Sequence, residues 1–149
     1  GPDKLGPDAL AISAADLRGR LAESRREVKV AILDQRAVAG IGNIYASEIL
    51  HRAGVHPEAA CNRLRPIDWK RIHAEMGKVL DEAILCQGST LSDGNYRNAQ
   101  NETGGFQDRH RVYQKHGQEC TQCGKATIAR AVQAQRATFF CPRCQRLRR

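Results

Sequence analysis

The sequence predicts a mainly α-helical domain followed by a small β module. Apolar residues recur at helical spacing through most of the first 88 residues, and the longest such pattern runs from about Pro66 to Cys86. Two short β-prone segments lie near the C-terminal end, close to two pairs of cysteines. Hydrophobic residues make up 41% of the chain, which is enough for a globular core. No run of about 18 apolar residues indicates a membrane span.

Helical periodicity and capping signatures predict four helices. Ser13, followed by Asp16, resembles an N-cap and begins the first helix. The other three are expected at residues 27–35, 44–53 and 66–86. Gly54 is expected to end the third helix and Gly88 the fourth. The expected buried face of the fourth helix consists of Trp69, Ile72, Met76, Val79, Leu80, Ala83 and Ile84.

The pattern changes after the fourth helix. Residues 89–111 lack periodicity and are rich in Gly, Asn and Ser, and a loop of this length in a compact domain is either functional or disordered. Thr127–Val132 and Arg136–Phe140 are predicted as two strands around a tight turn. The expected organisation is a tag remnant or linker at 1–4, a helical domain at 5–88, the loop at 89–111 and the β module at 112–149.

Four of the six cysteines form two C-x2-C pairs, Cys120 with Cys123 and Cys141 with Cys144, separated by 17 residues. Each short spacer lets both thiolates of a pair reach one ion, and a hairpin between the pairs brings them together as a tetrahedron. A module of about 35 residues buries too little apolar surface to fold unaided, so one structural Zn²⁺ is predicted to stabilise it. A redox dithiol or an iron–sulfur cluster is the alternative interpretation.

Other candidate ligands are expected to lie outside this metal site. Cys61 and Cys86 belong to no paired motif and are interpreted as packed thiols. His116 precedes Cys120 by four residues, but it would be a fifth ligand and is therefore expected at the surface.

The net charge of +8 is concentrated in the last quarter of the chain. Basic and acidic residues balance over residues 1–110, with 15 of each, whereas residues 111–149 hold nine basic residues and only Glu119. Such a basic segment indicates a polyanionic partner, and the alternative is a solvated end that aids solubility. The chain opens with no secretory signal and its cysteines fit a reducing interior, so a cytoplasmic location is expected.

The stretch AVAGIGNIYASEI, residues 37–49, places two glycines between predicted helices. Glycine permits positive φ and leaves amide N–H groups open, and the next helix adds the partial positive charge of its N-terminus. The two glycines, Gly40 and Gly42, and the N-terminus of the next helix are therefore predicted to form a phosphate cradle, with the Asn43 side-chain amide as a further donor. The alternative is a helix–helix corner in which glycine only relieves crowding.

Two separate motifs resemble those of the formamidopyrimidine-DNA glycosylase and endonuclease VIII family. AILDQRAVAGIGNIYASEILHRAGVHP, residues 31–57, resembles the signature of the family's helix–two-turn–helix domain, and QRATFFCPRCQ resembles the end of its zinc finger. LGPDAL, residues 5–10, resembles the segment that opens the family's C-terminal half. The resemblance covers nearly all of the chain after residue 4 and is closer to formamidopyrimidine-DNA glycosylase. Gln114 and Glu119 depart from the Gly and Pro that the family often has there.

The resemblance implies a helix–two-turn–helix bundle followed by a four-cysteine zinc finger. This would be the DNA-binding C-terminal part of a bifunctional glycosylase and AP lyase, which removes 8-oxoguanine and formamidopyrimidines. The family's nucleophile is an N-terminal Pro followed by Glu, and no Pro-Glu pair is present before Leu5 here. Pro2 follows Gly1, so its nitrogen is a tertiary amide and cannot form a Schiff base; the chain alone is expected to be inactive. The expected partners are duplex DNA with a lesion or abasic site and the missing catalytic domain. The protein is expected to be a monomer that associates with the bacterial nucleoid through DNA.

The DNA contacts that the resemblance implies are Arg25, Lys29, Gly42, Asn43, Tyr113 and Arg136. The family associates the Arg136 position with proton donation in δ-elimination. A guanidinium keeps its proton far above neutral pH and is therefore a poor general acid, so a phosphate clamp is the expected role. These contacts require Asn43 and Arg136 to lie on the same side of the molecule. Residues 88–105 take the place of the family's damaged-base recognition loop, and no base contact is assigned in them.

Two other function classes fit part of the sequence. Related glycine hairpins occur in a ribosomal protein and in topoisomerases, which suggests a stand-alone nucleic-acid-binding protein. Zinc ribbons often dock proteins, which suggests an interaction module. The combination of the hairpin with QRATFFC argues against the first, and exposed apolar surface is expected wherever a further half of the protein would pack.

Overall fold

The computed structural model describes residues 4–92 and 109–147. The helices are α1 (Ala14–Leu21), α2 (Val28–Leu33), α3 (Asn43–Ala53) and α4 (Pro66–Ser92), with a 3-10 turn at Cys61–Arg63. The strands are β1 (Ala129–Gln133) and β2 (Arg136–Phe140). The predicted fold, a mainly helical part followed by a small β ribbon, is confirmed. Within the described ranges, no helix combines the length and apolarity that crossing a membrane requires.

The helical part is built around α4, which packs against α1 and α3. Trp69, Ile72 and Val79 are fully or almost fully buried, as the helical periodicity predicts. Ile84 is the exception, because its side chain is 54% exposed. Ile84 and the neighbouring Leu85 are exposed, whereas Ala83 before them and Cys86 after them are buried, so the two exposed residues lie on the outward face of α4.

The start of α1 and the end of α3 follow the predicted capping chemistry, whereas the end of α4 does not. The Ser13 hydroxyl accepts a hydrogen bond from the amide of Asp16 at 3.0 Å, and Gly54 ends α3 in the left-handed region with φ +73°. The prediction that Gly88 ends α4 is wrong, because the helix continues to Ser92. A glycine inside a helix costs only about 1 kcal/mol relative to alanine, so a long helix that is packed elsewhere tolerates it. Most of the loop predicted at 89–111 falls outside the described residues.

The two strands form an antiparallel hairpin in which Gln133 pairs with Arg136. Ala134 and Gln135 make the two-residue turn with φ +49° and +67°, values that are unfavourable for residues other than glycine. The second strand has the predicted bounds, whereas the first begins two residues later than predicted. Thr127 instead forms an isolated bridge with Glu119, so it lies outside the hairpin ladder. We call residues 111–147 the ribbon; they contain this hairpin and the two cysteine pairs.

A stripe of polar side chains on α3 docks the ribbon onto the helical part. We call this set the docking stripe; its members are Asn43, Ser47, Glu48 and His51. Each member has a polar atom within hydrogen-bond distance of the ribbon. Ser47, Glu48 and His51 are at most 1% exposed. Polar bonds in a buried interface are directional, so they specify one arrangement of the two parts rather than a range.

Glu48 makes the densest of these contacts. Its carboxylate accepts hydrogen bonds from three successive backbone amides, those of Arg111, Val112 and Tyr113, at 2.7, 3.0 and 2.8 Å. A buried carboxylate without such donors would be strongly destabilising. The bonds therefore fix the start of the ribbon against the middle of α3 and set the backbone position of Tyr113.

We expect Glu48→Gln to lower the free energy of unfolding of the zinc-loaded chain by about 2–3 kcal/mol. The amide has one oxygen instead of two and directs an NH₂ group at backbone donors. Chemical denaturation followed by circular dichroism measures the loss. Glu23→Gln, at an exposed position, is the matched control and should change stability by less than about 0.5 kcal/mol. Equal effects of the two substitutions would contradict the assigned role of Glu48.

Candidate nucleic-acid interface

The turn before α3 is shaped by Gly40 and by the side chain of Gln35. Gly40 has φ +108°, a conformation that favours glycine. The Gln35 side chain accepts from the Gly40 amide at 2.9 Å and donates to the carbonyls of Leu33 and Ile41 at 3.1 and 3.0 Å. Gln35 was not predicted as a functional residue. The turn that follows α2 is long, and its backbone groups need hydrogen bonds within the turn. This is the signal that could have identified Gln35.

Gly42 is the N-cap of α3 and has φ −92°, so positive φ explains Gly40 and not Gly42. Gly42 supplies no side-chain cap to the first turn of α3, and it is exposed. A Cβ atom added here would come no nearer than 4.0 Å to Tyr45, its nearest neighbour. The first turn of α3 therefore faces open space with amide N–H groups and the positive end of the helix dipole, an arrangement suited to an anion.

Asn43 links the start of α3 to the hairpin. Its Nδ2 donates to the carbonyl of Ala137 at 3.0 Å, and its Oδ1 accepts from the Lys29 ammonium at 2.6 Å. These two bonds fix the orientation of the side-chain amide, because its nitrogen must face the Ala137 carbonyl and its oxygen the Lys29 ammonium. One hydrogen of Nδ2 remains for a ligand at the partly exposed side of the residue.

Lys29 does not present its charge at the surface, in contrast to the phosphate contact expected for it. The residue is 0% exposed, and its ammonium donates to Asn43, to the Ala137 carbonyl at 3.2 Å and to the Thr138 hydroxyl at 2.7 Å. These three acceptors use all three ammonium hydrogens. Lys29 is buried because the β1–β2 hairpin, more than 100 residues later in the chain, covers the end of its side chain.

Arg136 lies beside this cluster and is exposed. It immediately precedes Ala137, whose carbonyl accepts from both Asn43 and Lys29, and its charge contributes to lowering the pKa of Lys29. Arg136 and Asn43 are therefore on the same side of the molecule. An exposed guanidinium next to an open helix N-terminus makes a combined surface for a phosphate group, because a guanidinium can bind phosphate bidentately.

Tyr113 and Arg25 are linked less directly to Asn43 and Arg136. The Tyr113 ring makes edge contacts with Phe139 on β2 and with His110, at centroid distances of 5.2 and 5.6 Å. It is partly exposed, at the ribbon end that Glu48 holds. Arg25 is exposed in the segment before α2 and makes no hydrogen bond to the other predicted contact residues among the described residues.

The four cysteine sulfurs lie within 4.8 Å of one another. The Cys120–Cys144 and Cys123–Cys141 sulfur pairs are 3.9 and 3.8 Å apart. A tetrahedron of sulfurs at about 2.3 Å from zinc has an edge of about 3.8 Å, so the donor set fits this ion. Backbone amides of Ala126 and Lys125 lower the pKa of Cys123 to about 6, whereas burial raises the pKa of Cys141 and of Cys144, so zinc binding has to displace protons from this cluster.

The remaining candidate ligands lie outside this cluster, as expected. Cys61 and Cys86 are buried, and burial raises the pKa of the Cys61 thiol to about 11, which makes it unreactive. His116 is exposed, and its ring contacts Phe139 at a centroid distance of 5.5 Å.

The buried Lys29 gives a pH-dependent prediction. Burial, followed by the charge of Arg136, lowers the pKa of Lys29 from 10.5 to about 8, so the folded chain binds fewer protons than the unfolded chain between these values. The free energy of unfolding should therefore gain a contribution as pH rises from about 8 to 10.5, of at most about 3 kcal/mol.

Lys29→Met removes this titration, so the stability difference between wild type and variant should grow over that pH range in urea denaturation. Lys70→Met, at an exposed position of α4, is the control and should give a constant difference. Parallel stability curves for wild type and Lys29→Met would contradict a depressed Lys29 pKa.

Comparison with known proteins agrees with this geometry. A model of the formamidopyrimidine-DNA glycosylase H2TH domain matches residues 5–95, and a model of the zinc finger found in FPG and IleRS matches residues 117–147. The zinc-finger match and the four placed sulfurs support one structural zinc ion.

The relative and the solved structures described below are longer than this chain. The formamidopyrimidine-DNA glycosylase of Bacillus subtilis is 46% identical over 145 residues, which are 97% of this chain and 50% of that protein. The crystal structure of MutM (Fpg) from Thermus thermophilus is 41% identical with a TM-score of 0.82, covering 97% of this chain and 55% of the other. Lactococcus lactis Fpg bound non-covalently to DNA with an AP site is 34% identical with a TM-score of 0.82, covering 96% and 51%.

The chain thus spans about half the length of the curated relatives it matches. The H2TH model alone covers more than half of this chain, and the four cysteines and the glycine turn lie where the two models match. The chain belongs to the formamidopyrimidine-DNA glycosylase family.

Proposed function

We propose that this chain is the DNA-binding part of a bifunctional DNA glycosylase and AP lyase that acts on oxidised purines, including 8-oxoguanine and formamidopyrimidines. Within it, residues 5–92 would form the helix–two-turn–helix domain, because α4 extends past the expected boundary at 88 to Ser92. Residues 112–149 would form the zinc finger, and the segment between the two would take the place of the lesion-recognition loop. The chain would act as a monomer in the bacterial cytoplasm, together with a catalytic domain that carries the N-terminal nucleophile. Alone, it is expected to bind DNA without excising bases.

The observation that carries this proposal is the hydrogen bond between the Asn43 side chain and the Ala137 carbonyl. It holds the open N-terminus of α3 next to Arg136, so backbone amides, a side-chain amide and a guanidinium face the same region. Three kinds of phosphate donor on one surface suit a nucleic-acid backbone. The Fpg structures with lesion or abasic-site DNA that match this fold support duplex DNA as the partner.

The proposed role of this surface is to grip the phosphates around an extruded nucleotide. Extrusion costs a few kcal/mol of unstacking, which phosphate contacts can offset. Gly42 and Asn43 would contribute neutral donors, and Arg136 and Arg25 positive charge. Tyr113 would add its phenol. Lys29 is included with a changed role, because its buried ammonium orients Asn43 instead of contacting a phosphate directly in this structure.

Arg136 is proposed as a phosphate clamp and not as a proton donor. Its guanidinium is exposed, and an exposed guanidinium stays protonated at neutral pH. It can therefore stabilise a departing phosphate by charge and by two parallel hydrogen bonds, while transfer of its own proton would be unfavourable.

Salt dependence of DNA binding tests the proposal. For the zinc-loaded chain and a duplex with a tetrahydrofuran abasic-site analogue, log K should fall against log salt with a slope of roughly −2, about −0.9 for each of the two charged contacts proposed, Arg136 and Arg25. Arg136→Ala should make the slope shallower by about 0.9, because one charged contact is lost. Asn43→Ala should weaken binding at every salt concentration without changing the slope, because its amide is neutral.

Arg18→Ala is the matched control. Arg18 is exposed on α1, which packs against α4, so this variant should retain the wild-type slope. Binding that is independent of salt, or no binding at low salt, would contradict a phosphate clamp. Equal affinity for abasic and undamaged duplex would favour a general nucleic-acid-binding module over the repair role.

A further inference from the structure

His51, near the C-terminal end of α3, contacts the zinc ligand Cys120. The distance between its Nε2 and the Cys120 sulfur is 3.4 Å, and both residues are 0% exposed. The contact joins two parts of the chain that are 69 residues apart. It therefore brings a helical side chain to the edge of the proposed zinc shell, outside the four ligands.

The chemistry of a zinc-bound cysteine decides the direction of this hydrogen bond. A cysteine that binds Zn²⁺ is a thiolate and has no proton to donate. The hydrogen must therefore be on Nε2 of His51, which selects one of the two neutral tautomers. Nδ1 then carries a lone pair, and this atom is buried without a hydrogen-bond partner among the described residues. A phenyl ring would fill similar space without leaving a buried polar atom unpaired, so packing alone does not explain a histidine here.

We propose that His51 is a positioning residue of the zinc site, which donates an Nε2–H hydrogen bond to the Cys120 thiolate and thereby connects the metal shell to α3. Hydrogen bonds from outside the ligand set orient metal ligands and change metal affinity, commonly by about 10- to 100-fold. The shell of four thiolates and Zn²⁺ carries a net charge of −2, and an N–H donor disperses part of it.

The other cysteines show why Cys120 is the point of connection. Cys123 receives hydrogen bonds from the backbone amides of Ala126 and Lys125, and the amide of Cys144 donates to the Cys141 sulfur at 3.4 Å. These donors belong to the ribbon itself. The donor from His51 comes instead from α3, the helix whose N-terminus forms the candidate phosphate surface. Eight residues separate His51 from Asn43, about 12 Å along the helix.

The test uses the full chain loaded with zinc or with Co²⁺ as a spectroscopic probe. Loss of an N–H donor raises the energy of the thiolate electrons, so His51→Phe should shift the sulfur-to-cobalt charge-transfer band to lower energy. The same variant should release zinc to an excess of chelator about 10- to 100-fold faster than the wild type. His51→Gln retains an N–H donor on a shorter side chain and should restore part of both properties.

His116→Phe is the matched control, because it makes the same substitution in the ribbon at an exposed residue. It should leave the band and the release rate unchanged. A His51→Phe variant with the wild-type band and release within about twofold would overturn the proposal, since the expected change is at least about tenfold.

A second measurement needs no substitution. Nitrogen chemical shifts of the zinc-loaded wild type should show a protonated Nε2 and an unprotonated Nδ1 in His51, and the opposite tautomer would overturn the proposal even if the variants fail to fold. Neither measurement involves DNA, so the outcome is independent of the proposed function.

Discussion

The docking stripe of α3 against the ribbon is the contact on which the rest of the structure depends. Its four side chains lie along one helix and bond to four places in the ribbon: the hairpin carbonyl, the β2 backbone, the start of the ribbon and a cysteine sulfur. Neither part could build the candidate phosphate surface alone. The helical part supplies an open helix N-terminus, and the ribbon supplies a guanidinium beside it.

Metal binding and docking stabilise the ribbon together. Its own apolar cluster is small, with Val112, Ile128 and Phe139 as its buried members apart from cysteines. A cluster of this size cannot hold a module of about 35 residues, so the zinc ion is needed to close it. The polar contacts to α3 then fix the orientation of the closed module. Zinc would therefore take no direct part in the candidate phosphate surface, but it would be necessary for the position of Arg136.

Local features of the chain could be predicted from the sequence because their causes are local. Cysteine spacing determines which thiolates can share an ion, Ser13 caps the helix that follows it, and Gly54 ends α3 because it adopts positive φ. Features that depend on distant residues were missed. The burial of Lys29 results from a hairpin more than 100 residues away in the chain. The three backbone amides that donate hydrogen bonds to Glu48 belong to the ribbon. No pattern near either residue indicates its partners.

The central claim is that α3 and the hairpin contact the same stretch of one DNA strand. A crystal structure of the zinc-loaded chain with a short duplex containing a tetrahydrofuran abasic-site analogue tests it most directly. We expect the Gly42–Asn43 backbone and the Arg136 guanidinium to bind one phosphate or two adjacent phosphates beside the abasic site. Binding of these groups to opposite strands, or DNA bound to another face of the molecule, would contradict it.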